Sequence, residues 1–196
     1  MARAFLALTL SDATRAAVAA EIERLRPLSR AVAWVPAQNL HVTLKFLGER
    51  SDVQLAEVVE AMNDAAKSHQ AFTLRLHGLG AFPGMERPRI LWIGAAEGAS
   101  AARALQAQIE SALDRRGFAR EDRAWHPHLT IGRVFDERRW RREAGPPVRE
   151  AIAAAARRSF GELAVARVVL MRSDLSPRGA RYSELHAIGL RAQSAS

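Results

Sequence analysis

The chain has 196 residues, of which 48% are hydrophobic and 26% are charged, a composition that predicts one globular domain with an ordinary core. It has no cysteine, which excludes disulfides, thiolate metal sites and a cysteine nucleophile. Its net charge is +8, because 29 basic residues outnumber 21 acidic ones, and a positive field of this kind is compatible with a polyanionic substrate.

The first residues predict a strand that leads into a helix. Residues 3–9 form a short apolar run, and Ser11 or Asp12 can cap a helix that ends at Pro27. This run is too short for a signal peptide, and nothing in the chain approaches transmembrane length. We therefore expect a cytoplasmic protein that does not bind membranes.

Alternation and capping residues predict the remaining elements. In chain order they are an extended segment at 31–36, a strand at 40–47, a helix capped by Ser51, strands at 71–80 and 89–95, a helix from about Ser100 to Gly117, a strand at 128–134, a charge-dense loop at 133–147, a helix at 148–158, and two strands at 163–173 and 182–190. Residues 191–196 are expected to form a disordered tail.

These elements predict an α+β fold. Strands and helices are mixed, and several connections are short enough for hairpins, which favours a largely antiparallel sheet. Each half of the chain carries one strand with the pattern His-x-Thr, so we expect two similar lobes that face each other within one domain, residues 1–196. Nothing in the sequence requires more than a monomer.

The His-x-Thr pattern occurs at His41-Val-Thr43 and at His128-Leu-Thr130. Successive side chains of a strand point to opposite faces, so each histidine shares a face with its threonine while the intervening residues face the core. Two such pairs exceed what chance placement of six histidines and five threonines would give. A polar pair on a strand backed by apolar packing is the rigid mounting that a catalytic site needs.

Two imidazoles and two hydroxyls suit an in-line displacement at phosphorus. Imidazole titrates near neutral pH, so one histidine can accept a proton from water while the other donates a proton to the leaving oxygen. Hydroxyl donors can bind the non-bridging oxygens as charge develops on them. A strained cyclic phosphodiester is already activated and needs no metal.

His126 lies two residues before His128, so alternation places both imidazoles on one face. They could ligate a metal together with His41, but no carboxylate stands at a familiar ligand spacing. We therefore predict no metal and no cofactor, and expect His126 either to flank the pocket or to have a structural role.

The chain also resembles a known family, the two-histidine phosphoesterases, and within it the bacterial and archaeal RNA 2′,3′-cyclic phosphodiesterases, historically called 2′-5′ RNA ligases. The resemblance covers nearly the whole chain. It rests on the blocks "RAFLALTL", "WVPAQNLHVTLKFLGE", "GLGAFPGMERPRILWIG", "HPHLTIGR" and "LMRSDLSPRGARYSEL".

The resemblance implies a bilobed α+β fold, in which two lobes of mostly antiparallel sheet with outer helices surround a central cleft. It also implies hydrolysis of RNA 2′,3′-cyclic phosphate ends to 2′-phosphates without metal. In this chain His41 would be the proton donor and His128 the proton acceptor, although the sequence does not prevent the opposite assignment. Thr43 and Thr130 would hold the phosphate.

Three more site residues follow from the resemblance. Arg133 would add charge at the phosphate, although alternation places it on the face opposite His128. Phe46 would line the cleft and stack on a base, although alternation places it on the apolar face, where it would pack in the core. Tyr182 would line the cleft.

Other functions remain open from the sequence alone. The same site could act on a small cyclic nucleotide or an ADP-ribose cyclic phosphate, or join RNA ends by the reverse reaction. A protein that only binds RNA would also use phosphate-gripping pairs, but binding alone needs no matched acid and base. The excess of basic residues, nearly all arginine, also follows from a GC-rich genome, so charge does not identify the substrate.

Overall fold

A computed structural model describes residues 1–143, 145–177 and 179–192. The described residues form five α-helices and nine strands. The helices are α1 (Asp12–Leu25), α2 (Asp52–Ala66), α3 (Ala99–Asp114), α4 (Glu137–Glu143) and α5 (Pro146–Ala155). The strands are β1 (Ala2–Thr9), β2 (Val32–Trp34), β3 (His41–Arg50), β4 (Phe72–Phe82), β5 (Ile90–Ala95), β6 (His128–Val134), β7 (Ser159–Val165), β8 (Arg167–Ser176) and β9 (Gly179–Gly189).

These strands join in an antiparallel sheet with the order β7-β4-β5-β6-β3-β1-β8-β9, and β2 pairs with β6 off this path. The order divides the sheet into two four-stranded halves, β7-β4-β5-β6 and β3-β1-β8-β9. The two His-x-Thr strands, β3 and β6, are the neighbours at the junction, where the paired residues are Val42 and Leu129. This arrangement confirms the predicted α+β fold with two lobes of mostly antiparallel sheet.

Capping and burial explain why the helices lie where they do. The Ser11 hydroxyl accepts the Thr14 amide at the start of α1, and Ser51 forms a capping box with Gln54 at the start of α2. Val58 of α2 and Ile109 of α3 are fully buried in one hydrophobic core that also includes β-strand residues of both halves. The helices cover one face of the sheet and leave the polar face of β3 and β6 for a site.

The charge-dense segment 133–147 differs from its prediction as a surface loop. It contains α4, in which Trp140 is only 2% exposed. The Asp136 carboxylate accepts the Arg139 amide at 2.8 Å, and Glu137 pairs with Arg141 one turn later. A capping bond, an i,i+4 ion pair and one buried indole are sufficient for this short amphipathic helix.

The predicted strand at 163–173 is in fact two strands that belong to different halves. β7 pairs with β4, whereas β8 pairs with β1 and β9, so the chain crosses between halves at Ala166. The apolar pattern hides this break because both strands place buried residues close to Ala166, Leu163 and Val165 before it and Val168–Leu170 after it.

The predicted tail begins too early at residue 191. Arg191 forms a parallel bridge with Gln70, and its carbonyl accepts the Ala71 amide at 2.7 Å. Residues 193–196 lie outside the described residues. Within the described chain, no helix combines the length and the apolar composition that crossing a bilayer demands.

Candidate active site

Each His-x-Thr strand carries a β-bulge directly after its threonine. Between β3 and β1, Thr43 pairs with Ala7 but Lys45 pairs with Leu6, so Leu44 is an extra residue. Between β6 and β5, Thr130 pairs with Trp92 but Gly132 pairs with Leu91, so Ile131 is extra. The two strands therefore have the same irregularity at the same place in the motif.

A bulge reverses the alternation of the residues that follow it. Phe46, predicted on the apolar face, is 59% exposed and lines the central cleft. Arg133 holds the equivalent position in β6, and it also lines the cleft rather than the opposite face. The expectations that Phe46 packs in the core and that Arg133 points away from His128 are therefore wrong, because strict alternation fails after Leu44 and Ile131.

The cleft lies along β3 and β6 and has a volume of about 300 Å³. It brings together seven of the eight residues singled out from the sequence. These are His41, Thr43, Phe46, His128, Thr130, Arg133 and Tyr182.

The eighth residue, His126, differs from the expectation. It is exposed and is absent from the described residues that line the cleft, and β6 begins only at His128. Its backbone serves the site instead, because its carbonyl oxygen accepts a hydrogen bond from the His128 ring.

Both catalytic candidates are held in the same way. Nδ1 of His41 donates to the carbonyl of Asn39 at 2.7 Å, and Nδ1 of His128 donates to the carbonyl of His126 at 2.7 Å. A carbonyl oxygen can only accept, so Nδ1 carries the proton in both rings. Nε2 is then the nitrogen that can gain or lose a proton in the cleft.

Aromatic rings pack against both imidazoles. The His41 ring lies 4.7 Å from the ring of Phe5 and 5.3 Å from that of Tyr182, between centroids. The His128 ring lies 5.3 Å from the ring of Phe82 in an edge-to-face arrangement. These contacts fix the ring planes, and they also remove water from each imidazole.

The surroundings lower the pKa of both histidines. Burial is the main cause for His41, the Asn39 carbonyl opposes it, and the positive charge of Arg133 adds to it. Burial also lowers the pKa of His128, opposed by the His126 carbonyl and reinforced by the charges of His126 and Arg133. A bound phosphate would supply negative charge beside both rings and thus favour the protonated form of one of them.

Two supporting residues were missed at the sequence level. The Trp125 indole lines the cleft and donates from Nε1 to the Thr43 carbonyl at 3.0 Å, which ties the segment before β6 to β3. Lys45, 5% exposed, donates to both carboxylate oxygens of Glu110 at 2.8–2.9 Å and to the Ala119 carbonyl. One signal was present, since Lys45 is one of only two lysines in a chain whose other basic residues are all arginine.

Among the described residues, no cluster of three or more histidine, cysteine, aspartate or glutamate side chains is placed to hold a metal ion. The arrangement instead offers two imidazoles, two hydroxyls and one guanidinium around one cavity, which suits acid–base chemistry on an anion.

Comparison with known proteins identifies the family. The model of the 2′-5′ RNA ligase superfamily matches residues 14–177. The chain belongs to this superfamily. An Archaeoglobus fulgidus protein named RNA 2′,3′-cyclic phosphodiesterase is 34% identical over 93% of this chain and 97% of its own. A Methanothermobacter thermautotrophicus protein of the same name is 31% identical over 96% of this chain and 98% of its own.

Solved structures of superfamily proteins share the architecture. E. coli LigT in complex with 3′-AMP superimposes with a TM-score of 0.74 at 26% identity, and covers 96% of this chain and 98% of its own. A Thermus thermophilus protein gives a TM-score of 0.73 at 31% identity, over 98% of this chain and 100% of its own. The resemblance to the two-histidine phosphoesterases is therefore confirmed at the level of both family and fold.

Proposed function

We propose that the protein hydrolyses RNA 2′,3′-cyclic phosphate ends to 2′-phosphomonoesters. The main supporting observation is that two equivalent strands hold two imidazoles in one cleft. In each imidazole Nδ1 is hydrogen-bonded to a backbone carbonyl, and Nε2 has no hydrogen-bond partner among the described residues. Relatives named RNA 2′,3′-cyclic phosphodiesterase match over nearly the whole chain and support this choice of reaction.

In the proposed mechanism the two histidines act as base and acid. Nε2 of His128 takes a proton from a water molecule as the water oxygen forms a bond to phosphorus. The bond from phosphorus to O3′ breaks on the opposite side, and Nε2–H of His41 protonates the departing oxygen. The product carries a 2′-phosphate and a free 3′-hydroxyl, and one proton exchange with solvent restores both rings.

The remaining polar groups bind the charge that develops on the phosphate. The hydroxyls of Thr43 and Thr130 donate to the non-bridging oxygens, and Arg133 supplies a positive charge beside them. Because these donors are mounted on paired strands, they need little reorganisation as the phosphorus becomes five-coordinate.

The mechanism assigns no step to a metal, because the strain of the cyclic ester and the two imidazoles supply the activation and the proton transfers. Ligation of two RNA ends uses the same groups with a different nucleophile. If an RNA 5′-hydroxyl takes the place of water, the geometry that hydrolyses the ring also joins two ends through a 2′-5′ linkage.

The test uses a short RNA that ends in a 2′,3′-cyclic phosphate, incubated in EDTA with the wild type, His41→Ala and His128→Ala. We expect the wild type to yield the 2′-phosphate and each variant to lose at least about a hundredfold in kcat/KM, because removing a general acid or base typically costs roughly 10² to 10⁴. The product is identified by mass and by its resistance to a 3′-specific phosphatase.

His186→Ala is the matched control, because His186 is exposed and lies outside the cleft. It should retain wild-type turnover. Turnover near wild type in either cleft variant, or a wild type that leaves the cyclic end intact, would contradict the proposal.

A further inference from the structure

A second cavity adjoins the catalytic cleft. It has a volume of about 470 Å³, enough for a nucleotide-sized ligand, and lies between the start of β1 and the β8–β9 hairpin. Phe46, Arg133 and Tyr182 line both cavities, so the two share a wall. The catalytic mechanism uses nothing that belongs to the second cavity alone.

The lining of this cavity combines positive charge with exposed apolar surface. Arg3 and Arg133 are its charged residues, and no carboxylate is among the described residues that line it. Arg3 is exposed and forms no ion pair within the described residues, although Glu49 is its cross-strand neighbour on the same face of β1 and β3. Phe46 is 59% exposed and Leu175 is 66% exposed.

An unpaired arginine beside exposed apolar side chains is the combination that binds single-stranded nucleic acid. The guanidinium binds a backbone phosphate, and the apolar surface packs against a base whatever its sequence. Phe46 and Leu175 give the cavity two exposed apolar side chains on which a base can pack.

The position of the cavity indicates which part of an RNA would reach it. Phe5 and Tyr182, whose rings contact His41, both line the second cavity, whereas Phe82, which contacts His128, does not. In the proposed mechanism His41 faces O3′ of the terminal ribose. C3′ is bonded to C4′, which carries the 5′ side of the chain, so the preceding nucleotide leaves the cleft on the His41 side.

We propose that this second cavity is a subsite for the penultimate nucleotide of the RNA. Arg3 binds the phosphodiester that links the last two nucleotides, and the preceding base packs against Phe46 and Leu175. The inference rests on the proposed function and deepens it, because such a subsite makes the enzyme selective for RNA ends over cyclic mononucleotides.

The test compares two substrates that share the same terminal group. One is adenosine 2′,3′-cyclic phosphate, and the other is the dinucleotide adenylyl-(3′→5′)-adenosine 2′,3′-cyclic phosphate. We expect the wild type to favour the dinucleotide in kcat/KM. Arg3→Gln and Leu175→Ser should each lower the dinucleotide-to-mononucleotide ratio, by roughly tenfold for the charged contact, mainly through KM.

Matched controls remove the same groups elsewhere. Arg103→Gln takes one exposed positive charge from the outer face of α3, and Leu185→Ser replaces an exposed leucine of β9 outside both cavities. Both should leave the ratio unchanged. The charge effect should also appear in salt, since loss of one phosphate contact reduces the slope of log KM against log salt concentration by about 0.7.

The outcomes separate the subsite from the reaction. Turnover of both substrates with a ratio that neither Arg3→Gln nor Leu175→Ser changes would overturn the subsite and leave the proposed function standing. If neither substrate is hydrolysed, the proposed function fails. The subsite is then tested by comparing the dissociation constants of the same two intact ligands. A wild type that binds both equally would overturn it.

Discussion

At the scale of single residues, the site depends on which nitrogen of each histidine is free. A backbone carbonyl two residues earlier holds Nδ1 of His41 and of His128, so the protein fixes the tautomer without a carboxylate. A carboxylate partner would raise the imidazole pKa, whereas a neutral carbonyl leaves burial in control. Both rings therefore have a lowered pKa in the free protein, and in the proposed mechanism the substrate phosphate is the anion that favours the protonated form of one of them.

A lowered pKa in both rings predicts where the pH profile lies. In the proposed mechanism kcat/KM requires one neutral and one protonated imidazole, so activity should fall below the pKa of the base and above that of the acid. Both limbs of the pH profile should therefore lie at lower pH than the ordinary pKa of imidazole. Arg133 lowers both pKa values, so Arg133→Gln should move the kcat/KM optimum to higher pH, besides lowering its height by at least about tenfold.

Arg123→Gln is the control for that shift. Arg123 also lines the cleft, but it contributes to the pKa of neither histidine. The expected profile is unshifted, and it is measured with the same substrate and buffers. An optimum that stays in place in Arg133→Gln, or moves to lower pH, would show that Arg133 does not set the titration of the pair.

At the scale of elements, the sequence predicted the parts of the site that obey strand periodicity and missed those that break it. His41 with Thr43 and His128 with Thr130 share a face because alternation holds up to the threonines. The bulges at Leu44 and Ile131 decide where Phe46 and Arg133 point. The local sequence does not indicate these bulges, because both residues are also common in regular strands. The bulges arise from the way β3 pairs with β1 and β6 pairs with β5, which is a tertiary feature.

The bulge in β3 is supported by a buried ion pair. Because the bulge turns Lys45 inward, its ammonium meets Glu110 of α3 and the Ala119 carbonyl, and the Gln106 amide also donates to Glu110. Residues 115–127, which include Trp125, are thereby tied to β3 from two directions. The pair therefore positions one wall of the cleft as well as stabilising the fold.

Lys45→Met should be strongly destabilising, because it leaves the Glu110 carboxylate buried without its cation. We expect a loss of about 3 kcal/mol in the free energy of unfolding, measured by urea denaturation. The double variant Lys45→Met/Glu110→Leu should recover most of that loss, because it removes both charges.

Arg26→Ala is the matched control for this pair. It breaks the exposed pair of Arg26 with Glu23 and should change stability little. If Lys45→Met proves as mild as Arg26→Ala, the buried pair does not stabilise the fold.

At the scale of the whole molecule, the site exists only where the two halves meet. Each half supplies one histidine and one threonine, and the paired positions at the junction are Val42 and Leu129, both fully buried. Both residues lie between the histidine and threonine of their motifs, so the packing that joins the halves sets the separation of the two histidines. The His-x-Thr strand in each half of the chain predicted two lobes, but the closeness of the two motif strands depends on a sheet order that local pattern does not encode.

This geometry predicts that a small cavity at the junction costs more activity than an equal cavity elsewhere. Val42→Ala and Val58→Ala remove the same two methyl groups from residues that are both 0% exposed, one at the junction and one in α2. Each should lower the free energy of unfolding by about 2 kcal/mol.

Val42→Ala should also reduce kcat/KM on the cyclic-phosphate RNA by about 10- to 100-fold, because a misplacement of about 1 Å between reacting groups has that effect. Val58→Ala should stay within about twofold of the wild type at a temperature where both variants are fully folded. Equal activities in the two variants would mean that the halves hold their relative position through the rest of the sheet and its helices, and that the Val42–Leu129 contact contributes to stability alone.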